Sequence, residues 1–499
     1  MSDIILTTLN ARYIHSAFGL RYLKANLGEL ESVCDIVEFT IHQRPIDIAE
    51  QLLLCQAKVI GFGVYIWNVD EICKTISIIK QVSPETVIVV GGPEVSYEQQ
   101  QQEICRLSDY VIAGAADISF RKLCQQILDG KRPTDKFVPQ QPVNLDELRF
   151  PYHLYTDEDV AHRIIYVEAS RGCPFKCEFC LSALDKTAWP FDLDQFLMHM
   201  DALYVRGVRH FKFVDRTFNL KIDSSIRILE FFLAHLDDEL FLHFELIPDH
   251  LPERLKEVIA KFPPHSLQFE IGVQTFNPDT QDLISRRQND SKTEQNLRWI
   301  RDETNAHIHA DLIIGLPGED VNSFAAGFNR LVKLDPHEIQ VGILKRLRGS
   351  PLIRHTDAFQ LRFNHGPPYN ILSNNVIDFA TMQSLNRFAR YWDMIMNSGR
   401  FKHSRPLILA DDPFGHFMQL SEWLYATTGQ THKISLGRLF ELLHQGLIQV
   451  LYVNNDTAER ALMKDFDASG LKGVPAFSPA CNKNRLFVNK ASKRRQQRH

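Results

Sequence analysis

Three cysteines crowd one short run of this sequence, Arg171-Gly172-Cys173-Pro174-Phe175-Lys176-Cys177-Glu178-Phe179-Cys180. The spacing is CxxxCxxC. Thiolates this close together can converge on one metal centre, and soft sulfur ligands favour zinc or an iron–sulfur cluster. A structural zinc ion would want a fourth ligand, usually from a second paired motif, and the chain has none. A cubane cluster held by three cysteines instead leaves one iron without a protein ligand, open to a substrate or a second cofactor. The other cysteines, Cys34, Cys55, Cys73, Cys105, Cys124 and Cys481, are scattered, and the total of nine is odd. That is no disulfide framework.

The loop follows the first of six apolar runs, at 164–169, 210–215, 240–246, 267–273, 308–314 and 339–344. Helical stretches such as 193–204 and 226–236 lie between them. Six β/α units predict a partial (β/α)6 TIM barrel over 161–365, with chemistry at the carboxyl ends of its strands. The first 135 residues carry their own α/β rhythm, with strands predicted at 3–8, 35–39, 59–65, 86–90 and 110–112. Such a doubly wound, Rossmann-like sheet binds ligands outside the carboxyl ends of its strands. Gly61 and Gly63 end one of these strands, and Gly91 and Gly92 end another. Residues 136–160, with Pro139, Pro142 and Pro151, show no sustained period and read as a linker. From 366 to 499 the pattern turns helical, with Phe379, Met382, Leu385, Phe388, Trp392 and Ile395 along one face.

The chain has 499 residues, 44% hydrophobic and 23% charged, which suits several globular units. A formal net charge of −5 argues against a whole-protein polyanion binder. No secretory signal or membrane span is expected, so cytoplasm is the default location. A basic tail from Lys483 onward, ending Lys493-Arg494-Arg495-Gln496-Gln497-Arg498-His499, is a candidate for nucleic-acid contact. Phe414, Phe417, Trp423 and Tyr425 could stack a base, although their helical spacing suits core packing.

CxxxCxxC with Phe179 before the last cysteine, just past a barrel strand, resembles the signature of radical S-adenosylmethionine (radical SAM) enzymes. Phe211 to Phe218, His243-Phe244-Glu245, Glu270 to Thr275 and Asp311 to Gly318 fit that family in order. The resemblance implies that Cys173, Cys177 and Cys180 hold a [4Fe-4S] cluster whose open iron chelates SAM. It implies a 5′-deoxyadenosyl radical and a reductase partner such as flavodoxin or ferredoxin. By matching position, Glu245 and Gln274 are candidate contacts for SAM ribose or carboxylate, and Gly315 to Pro317 a candidate approach for adenine.

The runs Val59 to Asn68 and Val87 to Ser96 resemble the cobalamin (B12)-binding domain that precedes many radical SAM modules. Gly61, Gly63, Tyr65, Gly91, Gly92 and Pro93 are the positions that the resemblance sets against a corrin or its nucleotide tail. Two features depart from that pattern. The Asp-x-His-x-x-Gly motif of many cobalamin domains is missing, since His15 lacks the aspartate and Gly19 stands one place too far. Gly114-Ala115-Ala116-Asp117 stands where relatives often have Gly-x-Gly-Glu. The C-terminal region resembles an uncharacterised domain appended to a subset of these enzymes.

The combined resemblance implies a cobalamin-dependent radical SAM enzyme that methylates an unactivated carbon through methylcobalamin. Oxidation, cyclisation or ring rearrangement without methyl transfer is the first alternative. A cobalamin-responsive binding protein with a structural cluster is the second. Methylthiotransfer to transfer RNA would need a second cysteine trio in the N-terminal domain, and no loop there carries one. Tyr65, Asp215 and Arg216 face the active cavity by position, and Asp215 either relays a proton or pairs with Arg216.

Overall fold

The computed structural model describes residues 2–141, 143–185 and 187–478. The basic tail therefore lies outside the described residues, as does Cys481.

Strand β1 (Ile4–Asn10), β2 (Cys34–Thr40), β3 (Val59–Gly63), β4 (Val87–Gly91), β5 (Tyr110–Ile112) and β6 (Phe137–Val138) form one sheet in the order β2-β1-β3-β4-β5-β6. Every pair is parallel. Successive strand side chains point to opposite faces, so a run that is apolar at every position must be covered on both. Ile5, Ile60, Ile88 and Val90 accordingly share one core with Ile48, Leu52, Ile72 and Ile76 of helices Pro45–Leu54 and Val69–Val82. Ile4, Val59, Val87 and Val89 share another with Leu20, Phe120 and Leu123 of helices Phe18–Ala25 and Asp117–Leu128. The strand order reverses between β1 and β3, which makes their carboxyl ends the crevice where such sheets bind ligands.

The second sheet holds β7 (Ile165–Val167), then, past the short strands β8 (Ser170–Arg171) and β9 (Trp189–Pro190), β10 (His210–Phe213), β11 (Phe241–Leu246), β12 (Leu267–Gln274), β13 (His307–Ile314) and β14 (Glu338–Ile343). Its order is β14-β13-β12-β11-β10-β7, all parallel, so each strand neighbours the next in sequence and the open edges are β7 and β14. Phe211, Phe213, Leu242, Phe244, Phe269 and Ile271 are buried on the helix side. The alternate positions, Lys212, Glu245, Glu270, His309, Asp311 and Glu338, are polar and half-buried. Strands β8 and β9 pair antiparallel and bracket the cysteine loop.

Residues 136–160 do more than link. Phe137 and Val138 supply β6, and Leu148, Phe150, Tyr152 and Tyr155 are buried. The Tyr152 hydroxyl donates to the Glu168 carbonyl at 3.2 Å and the Tyr155 hydroxyl to the Tyr166 carbonyl at 2.8 Å, pinning β7 from both ends. A buried ion cluster joins this segment to the first sheet: Arg21 meets Glu38 and Asp159, each at 2.7 Å, and Arg163 meets Glu38 at 3.1 Å.

After a hairpin of β15 (Arg362–Phe363) and β16 (Ile371–Ser373) come helices Phe379–Trp392, Arg405–Leu409, Pro413–Thr428, Leu436–Gln449 and Asn455–Ala468. Phe414 and Phe417 belong to the core, not to a base-stacking surface: Phe414 meets Phe328 of the barrel helix Val321–Val332 with ring centroids 6.0 Å apart. Phe379, at 57% exposure, stands off the buried stripe that begins at Met382. Among the described residues no helix is long and apolar enough to cross a membrane.

Candidate active site

The cysteine loop is anchored at both ends. Gly172 has a φ of +97°, and a Cβ there would strike the Thr187 carbonyl, so only glycine lets the loop turn beneath Asp185 and Thr187. The Cys173 amide donates to the Asp185 carbonyl at 3.3 Å. Between the second and third cysteines, Glu178 is buried and fully engaged. Its carboxylate receives the Ser285 hydroxyl at 2.6 Å, pairs with His355 Nε2 at 2.9 Å and also meets Arg354. Its backbone amide donates to the Ile284 carbonyl, and its carbonyl accepts from the Leu352 amide, both at 3.0 Å. Burial pushes the Cys173 and Cys177 thiols up. Arg286 Nη1, donating to Cys177 Sγ at 3.6 Å, works the other way, as does the Arg216 charge on Cys173.

Arg216 and Glu245 meet at 2.8 Å at the carboxyl ends of β10 and β11. Burial raises the Glu245 carboxyl above its ordinary range despite that guanidinium. Gln274 ends β12 with a φ of +69°, beside a shift in the β12–β13 register, and its side-chain amide lies over Gly272. Arg286 also donates to the Gly272 carbonyl, so one guanidinium ties the cysteine loop to this bulge. Left-handed backbone at a non-glycine residue costs about 1–3 kcal/mol and persists where surrounding contacts over-determine it.

Deeper in the barrel, Glu270 takes Lys212 at 3.1 Å and His243 at 2.9 Å, and His309 lies 3.4 Å from Asp311 and 3.6 Å from Glu338. Burial opposes ionisation of Glu270, but His243 and Lys212 outweigh it and hold the carboxyl down at about 2. Asp215 does not pair with Arg216. It accepts from the Ala169 amide at 3.0 Å and the Ser170 hydroxyl at 2.6 Å, and burial pushes its carboxyl up to about 7. Gly315, with a φ of +91°, does not leave room for an approaching ring. A Cβ there would lie 2.7 Å from Ile371, so this chain's own β16 fills the space, with Met382 beside it, and Pro317 is buried.

The crevice between β1 and β3 is stitched by Asn68. This fully buried side chain donates to Thr8 Oγ1 and the Leu9 carbonyl, each at 3.1 Å, and accepts from the Tyr65 amide at 2.8 Å. Tyr65 and Trp67 stack with centroids 4.5 Å apart and planes 7° off parallel, with Trp67 48% exposed. Nearby, Gly91 is open: a Cβ would meet only the Ile112 carbonyl at 3.6 Å. Gly92, with a φ of +111°, would carry a Cβ 2.6 Å from the Val64 carbonyl, and Pro93 beyond it is exposed. Gly63 has Thr8 and Leu20 at contact distance. Gly61 is a packing glycine and not part of the crevice, because a Cβ would press on Leu6 and Phe120 at 3.0 Å in the core.

The Radical SAM superfamily model matches residues 167–330, and the B12 binding domain model matches residues 4–123. The chain carries a radical SAM domain fused to a B12-binding domain. A third model, a protein of unknown function (DUF4080), matches residues 357–497. The uncharacterized methyltransferase PH0819 of Pyrococcus horikoshii is 23% identical over 431 residues, which covers 80% of this chain and 90% of that protein. The structure of the radical SAM methyltransferase TsrM from Kitasatospora setae, with cobalamin and a [4Fe-4S] cluster bound, superposes with a TM-score of 0.60 at 15% identity. It covers 94% of this chain and all of that one. The cobalamin-dependent radical enzyme OxsB superposes with a TM-score of 0.63 at 13% identity over 97% of this chain and 84% of that one.

The cofactors that go with this pair of domains are a [4Fe-4S] cluster, SAM and cobalamin. The donor set of this radical SAM enzyme fits a cluster: three half-buried thiols on one anchored loop, with the Arg286 and Arg216 guanidiniums beside them. Among the described residues no three His, Cys, Asp or Glu side chains are gathered tightly enough to hold a single ion. The open glycine and flat aromatic pair of the B12-binding crevice fit a planar macrocycle. Sequence reasoning missed Glu178, Arg286 and His355, whose partners are distant in the chain. His15, set aside in the sequence as an incomplete cobalt-ligand motif, has its Nδ1 2.8 Å from the Tyr166 hydroxyl, and its backbone bridges Ile164 at the open edge of the barrel.

Proposed function

We propose that this enzyme methylates an unactivated carbon of its substrate. The observation that carries the reading is the meeting of the two sites. Arg171, next to the cysteine loop, reaches Asp117 of the B12-binding domain at 3.3 Å and Glu168 at the end of β7 at 3.0 Å, with its guanidinium over the Tyr22 ring. Cofactors held in the crevice and on the loop would therefore face one shared space. Two of the similar proteins, PH0819 and TsrM, carry the name methyltransferase, which supports methyl transfer as the outcome. The protein's work is to bind and orient, because the cofactors carry the difficult chemistry.

In this reading Cys173, Cys177 and Cys180 hold the cluster, and Glu245 and Gln274 contact SAM. Gly63, Tyr65, Gly91, Gly92 and Pro93 border the corrinoid within a domain spanning 1–135. Once bound, the cluster and SAM supply a carbon radical, and the corrinoid supplies the methyl group. Arg171 and Glu178 keep the loop in register with the crevice, and the Lys212–Glu270–His243 group sets the charge of the barrel lining.

A second reading, oxidation or ring rearrangement without methyl transfer, draws on the same lining, whose histidines and carboxylates could move protons. The test is anaerobic reconstitution with hydroxocobalamin and SAM carrying a labelled methyl group. Retained corrinoid, 5′-deoxyadenosine and label in a product support methylation. Deoxyadenosine and retained corrinoid, with a substrate transformed but unlabelled, would favour the second reading. Deoxyadenosine without retained corrinoid would overturn both.

A further inference from the structure

One stretch of backbone touches both cofactor regions. Residues 346–355 leave the carboxyl end of β14, and their first half grips the B12-binding domain just past the Gly91-Gly92-Pro93 turn. Glu94, 4% exposed, accepts Arg348 Nε at 2.9 Å and the Tyr369 hydroxyl at 2.6 Å. Glu98 takes both terminal nitrogens of Arg346, at 3.1 and 2.9 Å, and Arg348 Nη1 at 3.2 Å. The Tyr97 ring lies directly on Gly349, where any Cβ would overlap it. Glu98 holds a φ of +53°, a strained conformation that these contacts enforce.

The second half of the same stretch grips the cysteine loop. The Leu352 amide donates to the Glu178 carbonyl, and Arg354 and His355 hold the Glu178 carboxylate. Gly349 and Leu352 are three residues apart, at most about 11 Å of chain. No other element needs to move for a shift at one end to reach the other.

We propose that residues 346–355 form a strut that sets loop 92–98 against the cysteine loop, with Arg348 as its positioning residue. The inference rests on the reading that Gly91, Gly92 and Pro93 border the corrinoid. Arg348 suits the role because its planar fork engages Glu94, Glu98 and Tyr369 at once, which a lysine ammonium on a flexible stem cannot do. The corrinoid site is then completed from outside the B12-binding domain, by a residue some 250 positions later in the chain.

The test uses the full chain with its cluster reconstituted, comparing Arg348→Lys and Arg348→Gln with the surface control Arg254→Gln. Three quantities are read: amide hydrogen exchange over residues 92–98, the dissociation constant for hydroxocobalamin, and iron and sulfide per chain. Arg348→Lys guards against misfolding, since it keeps the charge opposite Glu94. Both Arg348 variants are expected to exchange faster over 92–98 and to bind hydroxocobalamin about tenfold more weakly, with cluster content unchanged. Unchanged exchange in both variants, with wild-type hydroxocobalamin binding, would overturn the strut alone. Faster exchange with undiminished hydroxocobalamin binding would overturn the positioning role together with the reading of this loop as a corrinoid contact.

Discussion

Arg286 donates from Nη1 to the Sγ of Cys177 at 3.6 Å while its other terminal nitrogen caps the Gly272 carbonyl. A cation at this sulfur favours the state of the centre that carries more negative charge, and the potentials of sulfur-ligated clusters follow charge and hydrogen bonds at the sulfurs. Reduction adds one electron, so removing the guanidinium disfavours the reduced form. Arg286→Met should keep its iron and sulfide and lower the midpoint potential by about 60 mV, one tenfold step for a one-electron couple. A redox titration followed by electron paramagnetic resonance reads this directly. An unshifted potential at full iron content would show that the guanidinium does not touch the loaded centre.

Asp215 gives a pH dependence of opposite sign to most carboxylates. Burial pushes it up to about 7 from an ordinary 3.8, so the folded state prefers the protonated form. Its contribution to stability is fully present below about pH 4 and is lost as pH rises toward 7. Asp215→Asn mimics the protonated form, and the Ser170 hydroxyl can turn to accept from the new amide. The variant should match the wild type in melting temperature at pH 4 and exceed it at pH 8 by an amount equivalent to about 1–3 kcal/mol. Equal melting curves at both pH values would mean that the carboxyl is not titrating there.

Much of the framework was legible because it obeys local rules. Runs such as Val59-Ile60 and Val87-Ile88-Val89-Val90 can only be strands covered on both faces, and Phe211-Lys212-Phe213 announces a strand with one wet side. The cysteine loop was legible from spacing. What escaped were partners that no local pattern links: Glu178 and His355 stand 177 positions apart, and Glu94 and Arg348 stand 254 apart. The segment around Tyr152 and Tyr155 escaped for another reason. Its buried side chains pack one at a time against helices Phe18–Ala25 and Leu193–Val205 and against β7, so they follow neither a strand nor a helix period. Gly315 misleads because a glycine at a strand end reads alike whether a ligand or, as here, Ile371 occupies the space beside it.

Glu270 titrates in the conventional direction. Its carboxyl is held at about 2 against an ordinary 4.5, so it stabilises the barrel above pH 4.5 and loses that contribution as pH falls toward 2. The upper bound is about 3 kcal/mol at neutral pH. Glu270→Gln should flatten the acid limb of the stability profile below pH 4.5, and it should leave the Lys212 ammonium without its carboxylate partner at neutral pH. Urea unfolding followed by tryptophan fluorescence from pH 3 to pH 7 makes the comparison. Parallel profiles for the two proteins would place acid sensitivity elsewhere.

The glycines of the B12-binding domain separate packing from binding. Gly61 sits where a Cβ would press on Leu6 and Phe120 at 3.0 Å, so Gly61→Ala overpacks the core and should cost about 1–3 kcal/mol. It should lower the melting temperature while the folded fraction binds hydroxocobalamin as before. Gly91 ends β4 with open space beside it, and valine suits a strand end. Gly91→Val should therefore melt like the wild type and lose hydroxocobalamin, because the added methyl groups stand where the macrocycle approaches. Differential scanning calorimetry paired with equilibrium dialysis reads both effects on the same samples. If Gly91→Val kept wild-type affinity for hydroxocobalamin, the macrocycle would have to approach from another side of the crevice, and the stacked Tyr65–Trp67 pair would be the next wall to test.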